Sequence, residues 1–230
     1  MGLDWEEDFA DLHELESPQR RVWLEGFDIR ETPITVDEWK DFLEDTGYEW
    51  PYLQEMERES PTGNHPVCMV SWDDAVRFAA WITETTNQNI SLPTEAQWER
   101  ACRGTDGRPH PYGWEPYSWE SSGLLAEVEE GDWKNHPVDF RKDLGSPCGC
   151  LGMWLISEWC LDFVDPDEDR DTLPPEVISP RGPATGEYRA VRGGTPFSSG
   201  SFRCSFRGYL KPNSRSIYMG FRLARDHGKQ

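Results

Sequence analysis

A long irregular stretch near the C-terminus constrains this chain more than any other part of its sequence. Apolar residues spaced by Gly and charge, at Val191 and at Phe221 and Leu223, predict short strands at its two ends. The residues between 193 and 219 show no helical periodicity and are rich in Ser, Gly, Arg and aromatic side chains. Because scaffolds commonly carry their working surface on such a segment, this stretch is predicted to be functional.

Composition and charge exclude several classes of partner. The 230 residues carry 43 Asp and Glu against 23 Lys and Arg, a net charge of −20. A strongly negative surface repels nucleic acid and anionic membranes, so neither is expected as a partner. The sequence has no apolar run long enough to span a bilayer and no signal-peptide pattern, so a cytoplasmic protein is expected.

The six cysteines are predicted to be mostly reduced thiols, buried or half-buried. A chain of 230 residues can bury a substantial core and does not need disulfides for stability. Cys148 and Cys150 are too close in sequence for an easy mutual bridge and lack the Cys-x-x-Cys spacing of zinc sites. The histidines also lack metal-ligand spacing, so no zinc site is predicted.

Three helices are predicted from capping motifs and apolar periodicity. The first follows a capping box formed by Thr35 and Glu38, the second starts at Ser71, and the third follows Thr94. Residues 104–150 are rich in Gly, Pro and Trp without a sustained period, which indicates long ordered loops.

Several short motifs occur in the order found in a known family. They are Glu16-Ser-Pro-Gln-Arg20, Thr32-Pro-Ile-Thr35, Pro66-Val-Cys-Met-Val-Ser-Trp-Asp-Asp-Ala75, Leu92-Pro-Thr-Glu-Ala-Gln-Trp-Glu-Arg-Ala101, Ser157-Glu-Trp-Cys160, Arg192-Gly-Gly194 and Gly220-Phe-Arg222. Together they resemble the formylglycine-generating enzyme, or sulfatase-modifying factor, family. The resemblance implies an irregular α+β fold similar to C-type lectins, with few helices, short strands and long ordered loops. It also implies a single domain over residues 1–230, either missing the family's first strand or part of a longer chain.

The residues that the family's oxidase chemistry requires are not present. The resemblance implies Cu(I) held between two thiolates at fixed positions after the Gly193-Gly194 pair, and those positions here are Ser198 and Arg203. A hydroxyl is a weak donor to Cu(I), and a guanidinium cannot ligate a metal. Cys204, one residue further on, would face the opposite side of an extended segment. Neither copper nor formylglycine-generating activity is therefore expected.

An acidic run over residues 162–171 leaves calcium binding open. Asp165, Asp167 and Asp169 offer hard oxygen ligands close together, which calcium prefers, although acidic runs are more often solvated loops. The resemblance implies a calcium site that uses an Asn side chain, and Leu155 stands at that position without a side-chain oxygen.

The C-terminal segment 195–219 is predicted to be a binding surface. The variable proteins of diversity-generating retroelements, in the same family, use the equivalent segment as a binding surface, which implies the same use here. Aromatic and small polar side chains on a rigid backbone provide contact surface at low entropic cost. A protein or small-molecule ligand is expected to contact Phe197, Ser198, Phe202, Arg203, Phe206, Arg207, Tyr209, Ser216, Ile217 and Tyr218. The resemblance implies exposed side chains at five of these positions: Phe206, Tyr209, Ser216, Ile217 and Tyr218.

Three functions remain open on these residues. The favoured one is a non-catalytic binding module, a pseudoenzyme on this scaffold. A diverged enzyme could use Arg203 or Arg207 to hold an anion and a nearby His or Glu as base. A regulatory subunit could meet a basic partner through its acidic surface. A metal or a cleft with a perturbed pKa would favour the enzyme, and an exposed aromatic patch would favour the binding module.

Four charged residues are predicted to serve structure. Arg192 and Arg222 lie in the strand-like ends of the C-terminal stretch, which predicts buried arginines paired with carboxylates such as Glu158. Glu95 and Glu99 follow the Thr94 cap and are predicted to be capping or helix-surface residues rather than site carboxylates.

Overall fold

The computed structural model describes residues 16–114, 135–194 and 203–228, in which four α-helices and eight short strands are present. The helices are α1 (Val36–Thr46), α2 (Leu53–Glu59), α3 (Trp72–Thr86) and α4 (Glu95–Arg103), and 3₁₀ turns lie at Lys142–Leu144 and Arg170–Thr172. The strands are β1 (Arg21–Trp23), β2 (Phe27–Ile29), β3 (Ser157–Val164), β4 (Glu176–Ile178), β5 (Tyr188–Arg192), β6 (Gly208–Leu210), β7 (Met219–Gly220) and β8 (Ala224–Asp226). The predicted α+β fold is confirmed.

The three predicted helices all begin at capping boxes. Thr35, Ser71 and Thr94 each accept a hydrogen bond from the backbone N–H of the third helical residue, whose side chain accepts one from the N–H of the cap. The sequence does not predict α2, because Tyr52 at its start makes no side-chain cap. Among the described helices, none combines the length and apolar character needed to cross a membrane.

A four-stranded sheet in the order β6–β5–β3–β7 holds the C-terminal part of the chain. Strand β5 pairs antiparallel with β3 and β6, while β7 runs parallel to β3. The predicted strand at Val191 is β5, whereas Phe221 and Leu223 lie between β7 and β8. The chain leaves β5 through Gly193, where φ is +74° and an added Cβ would lie 3.0 Å from the Ile156 carbonyl oxygen.

Two small ribbons flank this sheet. Strands β1 and β4 pair in parallel, and β2 and β8 pair antiparallel. Trp23 stands opposite Ile178 in the β1–β4 ribbon. Both side chains are unusually exposed for large apolar residues, at 60% and 72%.

Aromatic side chains fill the larger core. The ring of Trp39 on α1 stacks 5.8 Å from that of Phe78 on α3, and Phe221 packs edge-on 5.4 Å from Phe78. A second buried cluster lies under α4 and brings together Trp98, Cys102 and Cys204 with neighbouring small side chains. This second cluster supports the face of α4 that lies opposite the site described next.

Candidate functional site

A cleft of about 1320 Å³ opens along one face of α4. Its other walls come from the N-terminal segment 16–27, from residues 162–183, and from isolated residues of the C-terminal stretch. Its charged lining consists of Glu16, Arg20, Glu25, Glu95, Glu99, Arg100, Arg103, Asp162, Asp165, Glu168, Arg181, Arg192 and Arg207. The volume is larger than the roughly 300–1,000 Å³ of typical small-molecule pockets.

Glu95, the first residue of α4, binds two arginines that are distant in sequence. Nε of Arg192 donates to Oε1 of Glu95 at 2.9 Å, and Arg207 donates to both carboxylate oxygens through Nε and Nη2. All three side chains are largely buried. Burial alone would raise the pKa of Glu95, but the charges of Arg207 and Arg192 outweigh it and hold that pKa at about 2.

Arg192 ties α4 to the C-terminal segment. Besides Glu95, it donates to Oε2 of Glu99 at 2.8 Å and to the carbonyl oxygens of Cys204 and Phe206, both at 3.1 Å. The prediction of a buried, carboxylate-paired Arg192 is confirmed. The prediction that Glu95 serves only capping or the helix surface is wrong, because its side chain turns inward to two guanidinium groups.

Asp162 on β3 borders the same cleft and has an unusual acidity. Its Oδ2 accepts a hydrogen bond from the backbone N–H of Glu95 at 2.8 Å, and its side chain is buried. Burial, together with the negative charge of Glu95, raises the pKa of Asp162 to about 7. Two neighbouring carboxyl groups in one cleft therefore have pKa values pushed in opposite directions.

Replacing Asp162 by Asn is expected to reduce the pH dependence of stability. The folded protein holds this proton up to about pH 7, while the unfolded chain releases it near the ordinary pKa of 3.8. The stability that proton binding contributes is therefore full below pH 3.8 and is lost as the pH rises through 7. Asn stays neutral and still accepts the bond from Glu95, so it should raise the free energy of unfolding by about 1–3 kcal/mol at pH 8 and change it little at pH 4.

Urea unfolding of both proteins at these two pH values measures the effect. Asp165→Asn is the matched control, because Asp165 lies three residues further on and its carboxylate is exposed. The free energy of unfolding of Asp165→Asn should differ from that of the wild type by the same amount at both pH values. An equal gain in the free energy of unfolding for Asp162→Asn at pH 4 and pH 8 would contradict the raised pKa of Asp162.

Arg203 and Ser205 meet the N-terminal segment at the edge of the cleft. Nη2 of Arg203 donates to Glu16 at 2.5 Å, and Oγ of Ser205 donates to the same carboxylate at 2.6 Å. Arg203 and Arg207 are thus both paired with carboxylates. An anion that approached either guanidinium would compete with Glu16 or Glu95. Ser198 lies outside the described residues, and the expected lack of copper stays a prediction.

The side chains predicted as an exposed contact surface are not all exposed. Phe206 retains only 4% of its accessible surface and Ser216 only 8%, so the expectation of exposure is wrong for these two. The Arg192 bonds to the carbonyls of residues 204 and 206 hold this part of the backbone inward. Tyr209, Ile217 and Tyr218 are half-buried. Two further predicted contact residues, Phe197 and Phe202, lie outside the described residues.

The carboxylates of the acidic run make local hydrogen bonds and do not converge on one point. Oδ1 of Asp165 accepts from the backbone N–H of Asp167, and Oδ1 of Asp169 accepts from that of Asp171. Within residues 16–114, 135–194 and 203–228, no three His, Cys, Asp or Glu side chains are grouped as a metal site requires. Calcium binding by this run stays a prediction that these local turns do not support.

Several cleft residues were missed by sequence reasoning. Asp162 is a carboxylate between the apolar residues Leu161 and Phe163 of β3, which is a signal of a buried acid. Trp23 and Arg103 carry no such signal, because their positions depend on the pairing of β1 with β4 and on the packing of α4.

The fold is that of irregular α+β domains already known from solved structures. Treponema denticola variable protein 1 superposes with a TM-score of 0.65 over 89% of this chain and 86% of that protein, at 22% identity. PvdO from Pseudomonas aeruginosa superposes with a TM-score of 0.61 over 87% and 80%, at 18% identity. At these identities the likeness concerns the fold alone.

The chain belongs to the formylglycine-generating enzyme, or sulfatase-modifying factor, family: the sequence model of the Sulfatase-modifying factor enzyme 1-like domain matches residues 2–227. It is 33% identical over 183 residues to the formylglycine-generating enzyme of Streptomyces coelicolor, covering 71% of this chain and 53% of that protein. It is 28% identical to the hercynine oxygenase of Mycolicibacterium smegmatis, covering 92% and 55%. The chain spans about half the length of these curated relatives.

Proposed function

We propose that this chain is a non-catalytic binding domain on a formylglycine-generating-enzyme scaffold, and that a polypeptide segment occupies the cleft along α4. The observation that carries the proposal is the exposed side chain of Trp23 on the wall of that cleft. A large aromatic side chain that is left open to solvent beside a cleft is typical of a site that binds another polypeptide.

The shape and lining of the cleft favour a peptide over a small molecule. The cleft volume of about 1320 Å³ exceeds what a small ligand fills. Trp23 lies at its border with 60% of its surface exposed, and large exposed aromatic side chains commonly anchor protein ligands. Of the predicted C-terminal binding segment, Arg207 and the neighbouring Ser205 line this cleft. The proposal therefore keeps the middle of that segment and moves the main contact surface to α4 and β1.

The raised pKa of Asp162 supports a second candidate function, that of a diverged enzyme that acts without copper. A carboxyl group with a pKa of about 7 can accept a proton near neutral pH, as a general base must. Among the described residues that line the cleft, none is His or Cys. Glu95 is ionised and held by two arginines, which makes it a poor base, so Asp162 is the group this candidate needs. Asp162 already has a structural role, because it accepts a hydrogen bond from the first turn of α4. Its burial therefore does not require a catalytic function, and the binding domain is the preferred candidate.

Replacing Trp23 by Ala is expected to weaken peptide binding at least about tenfold, since loss of an aromatic anchor commonly costs more than 1 kcal/mol. Peptides would be selected from a random displayed library on the intact protein, and their dissociation constants measured for both proteins. Ile178→Ala is the matched control, because Ile178 is the cross-strand neighbour of Trp23, is equally apolar and exposed, and does not line the cleft. It should change affinity by less than about threefold.

The same peptides separate the two candidates. Selected peptides recovered with unchanged mass after long incubation support a binding domain. A mass change that the Asp162→Asn protein no longer produces would establish the enzyme instead. If Trp23→Ala and Ile178→Ala weaken peptide binding equally, or if neither changes the dissociation constant, the peptide binds outside the cleft.

A further inference from the structure

One edge of strand β1 is open at the wall of the cleft. Among the strands of the described ranges, β1 pairs with β4 alone, and all three of its residues are exposed. Val22 and Trp23 of this strand line the cleft, and so do Arg20 and Leu24 on its two sides. A strand with one unpaired edge offers backbone donors and acceptors to another chain in an extended conformation.

The hydrogen bonds between β1 and β4 do not use the backbone groups of Val22. The N–H of Arg21 donates to the carbonyl oxygen of Pro175 at 2.9 Å, and the carbonyl oxygen of Trp23 accepts from the N–H of Ser179 at 2.8 Å. Because backbone groups alternate in direction along a strand, the N–H and C=O of Val22 point away from β4. Val22 itself lines the cleft, so an extended segment bound there can reach both groups.

We propose, on the basis of the function proposed above, that the bound polypeptide adds to β1 as a third strand in the order β4, β1, peptide. Its backbone accepts a hydrogen bond from the N–H of Val22 and donates one to the C=O of Val22. In strand addition, main-chain hydrogen bonds give affinity, and contacts with alternate side chains give specificity. The partner is therefore an extended, strand-forming segment without proline at the residue that pairs with Val22.

The same arrangement gives the side chain of Trp23 a defined neighbour. Trp23 stands opposite Ile178, so their side chains share one face of the ribbon, and Trp23 is 60% exposed. A third strand on the free edge of β1 places one of its own side chains beside Trp23 on that face. Aromatic and β-branched side chains pair favourably with an aromatic neighbour across strands, so this peptide position is expected to select them.

A peptide fits this edge better than a second copy of the chain does. Strand β1 has three residues, and pairing two such strands would bury far less than the roughly 1,200 Å² of a stable protein interface. Each copy of the chain also carries a net charge of −20, which opposes association of the chain with itself.

Hydrogen exchange of single amides, followed by NMR, tests the pairing in the unaltered protein. The probes are the peptides selected from the random displayed library. The amide of Val22 is expected to exchange at least about tenfold more slowly when a peptide is bound, because it then donates to the peptide backbone. The amide of Ile178, which faces the other edge of the ribbon, is the control and should exchange at an unchanged rate.

Replacing Val22 by Pro removes the donor itself and should weaken peptide binding at least about tenfold, since a peptide carbonyl loses its partner. Ile178→Pro is the matched control, because it also removes an N–H that β1 and β4 do not use. It should change the dissociation constant by less than about threefold. If Val22→Pro does not fold, the exchange of the Val22 amide in the wild type still decides the question.

The outcomes separate this inference from the function on which it rests. If Trp23→Ala weakens binding but the bound peptide leaves the exchange of Val22 unchanged, or if Val22→Pro and Ile178→Pro weaken binding equally, strand addition is refuted and the binding domain stands. If Trp23→Ala has no effect, both proposals fail. Slower exchange at Val22 that appears without peptide as the protein concentration rises would assign the edge to a second copy and overturn the inference.

Discussion

Replacing Arg222 by Met is expected to lower the free energy of unfolding by about 3–5 kcal/mol, because it leaves Glu158 as a buried charge without its cation. Both side chains have no exposed surface. Nε and Nη2 of Arg222 donate to the two carboxylate oxygens of Glu158 at 2.6 and 2.7 Å, a bidentate arrangement that favours the ionised pair. The prediction that these two residues are partners is confirmed.

The remaining donors of Arg222 join two separate loops. Nη1 donates to the carbonyl oxygens of Arg30 and Glu31, and Nη2 to that of Leu151. Every N–H of the guanidinium is therefore used. The variant leaves three carbonyl groups without this donor, which adds to the cost of the unpaired carboxylate. Lys in place of Arg should recover only part of the loss, because an ammonium group cannot reproduce the planar fork.

Equilibrium urea unfolding at neutral pH measures this prediction. Arg225→Met is the matched control, since Arg225 lies three residues further on and pairs with Asp28 at the surface. An exposed pair contributes about 0–1 kcal/mol, so that variant should remain close to the wild type. The double variant Arg222→Met with Glu158→Leu removes both charges and should be less destabilised than Arg222→Met alone. A loss for Arg222→Met as small as that for Arg225→Met would refute the argument.

How far the fold could be predicted depends on whether the interactions are local. The capping boxes at Thr35, Ser71 and Thr94 involve residues within one turn, and the sequence shows them directly. The parallel pairing of β1 with β4 joins segments more than 150 residues apart, and three-residue strands carry almost no periodicity to reveal it. Irregular loops have no periodic pattern of apolar residues, so their backbone conformation cannot be predicted from the sequence.

The site was harder to predict than the fold for a related reason. Glu95 looks like an ordinary acidic residue in the first turn of a helix, and only the distant Arg192 and Arg207 give it another role. Phe206 lies in a Ser- and Arg-rich stretch typical of a surface loop, yet the Arg192 bonds to nearby carbonyls turn that stretch inward. Long-range ion pairs of this kind are fixed by the complete fold and have no signature in local sequence.

Replacing Glu95 by Gln is expected to destabilise the fold by about 3–5 kcal/mol at pH 7, because two buried guanidinium groups lose the charge that they share. The amide keeps the size of the side chain, so packing is little changed. It offers one oxygen where the carboxylate offers two, and its NH₂ group faces a donor of Arg192 or Arg207. Helix α4 and the C-terminal segment should loosen together, because Arg192, which binds Glu95, also donates to the carbonyl oxygen of Phe206.

The effect should depend on pH in a direction opposite to that of Asp162→Asn. The pKa of Glu95 is about 2 in the folded protein, below its ordinary value of 4.5. Its stabilisation is therefore complete above pH 4.5 and is lost as the pH falls toward 2, so the difference between wild type and variant should shrink in that window. Urea unfolding at pH 7 and pH 3 gives the two values to compare.

Glu99→Gln is the matched control for Glu95→Gln. It also removes an acid from α4, but not the buried charge that Arg192 and Arg207 share. Glu99 also pairs with Arg192, but its side chain is 29% exposed against 10% for Glu95. Solvent can therefore replace much of what Glu99 provides, and its loss should cost about 1 kcal/mol or less. Equal losses of stability for the two variants, or a loss for Glu95→Gln that is unchanged at pH 3, would show that the charge of Glu95 is not what holds Arg192 and Arg207 in place.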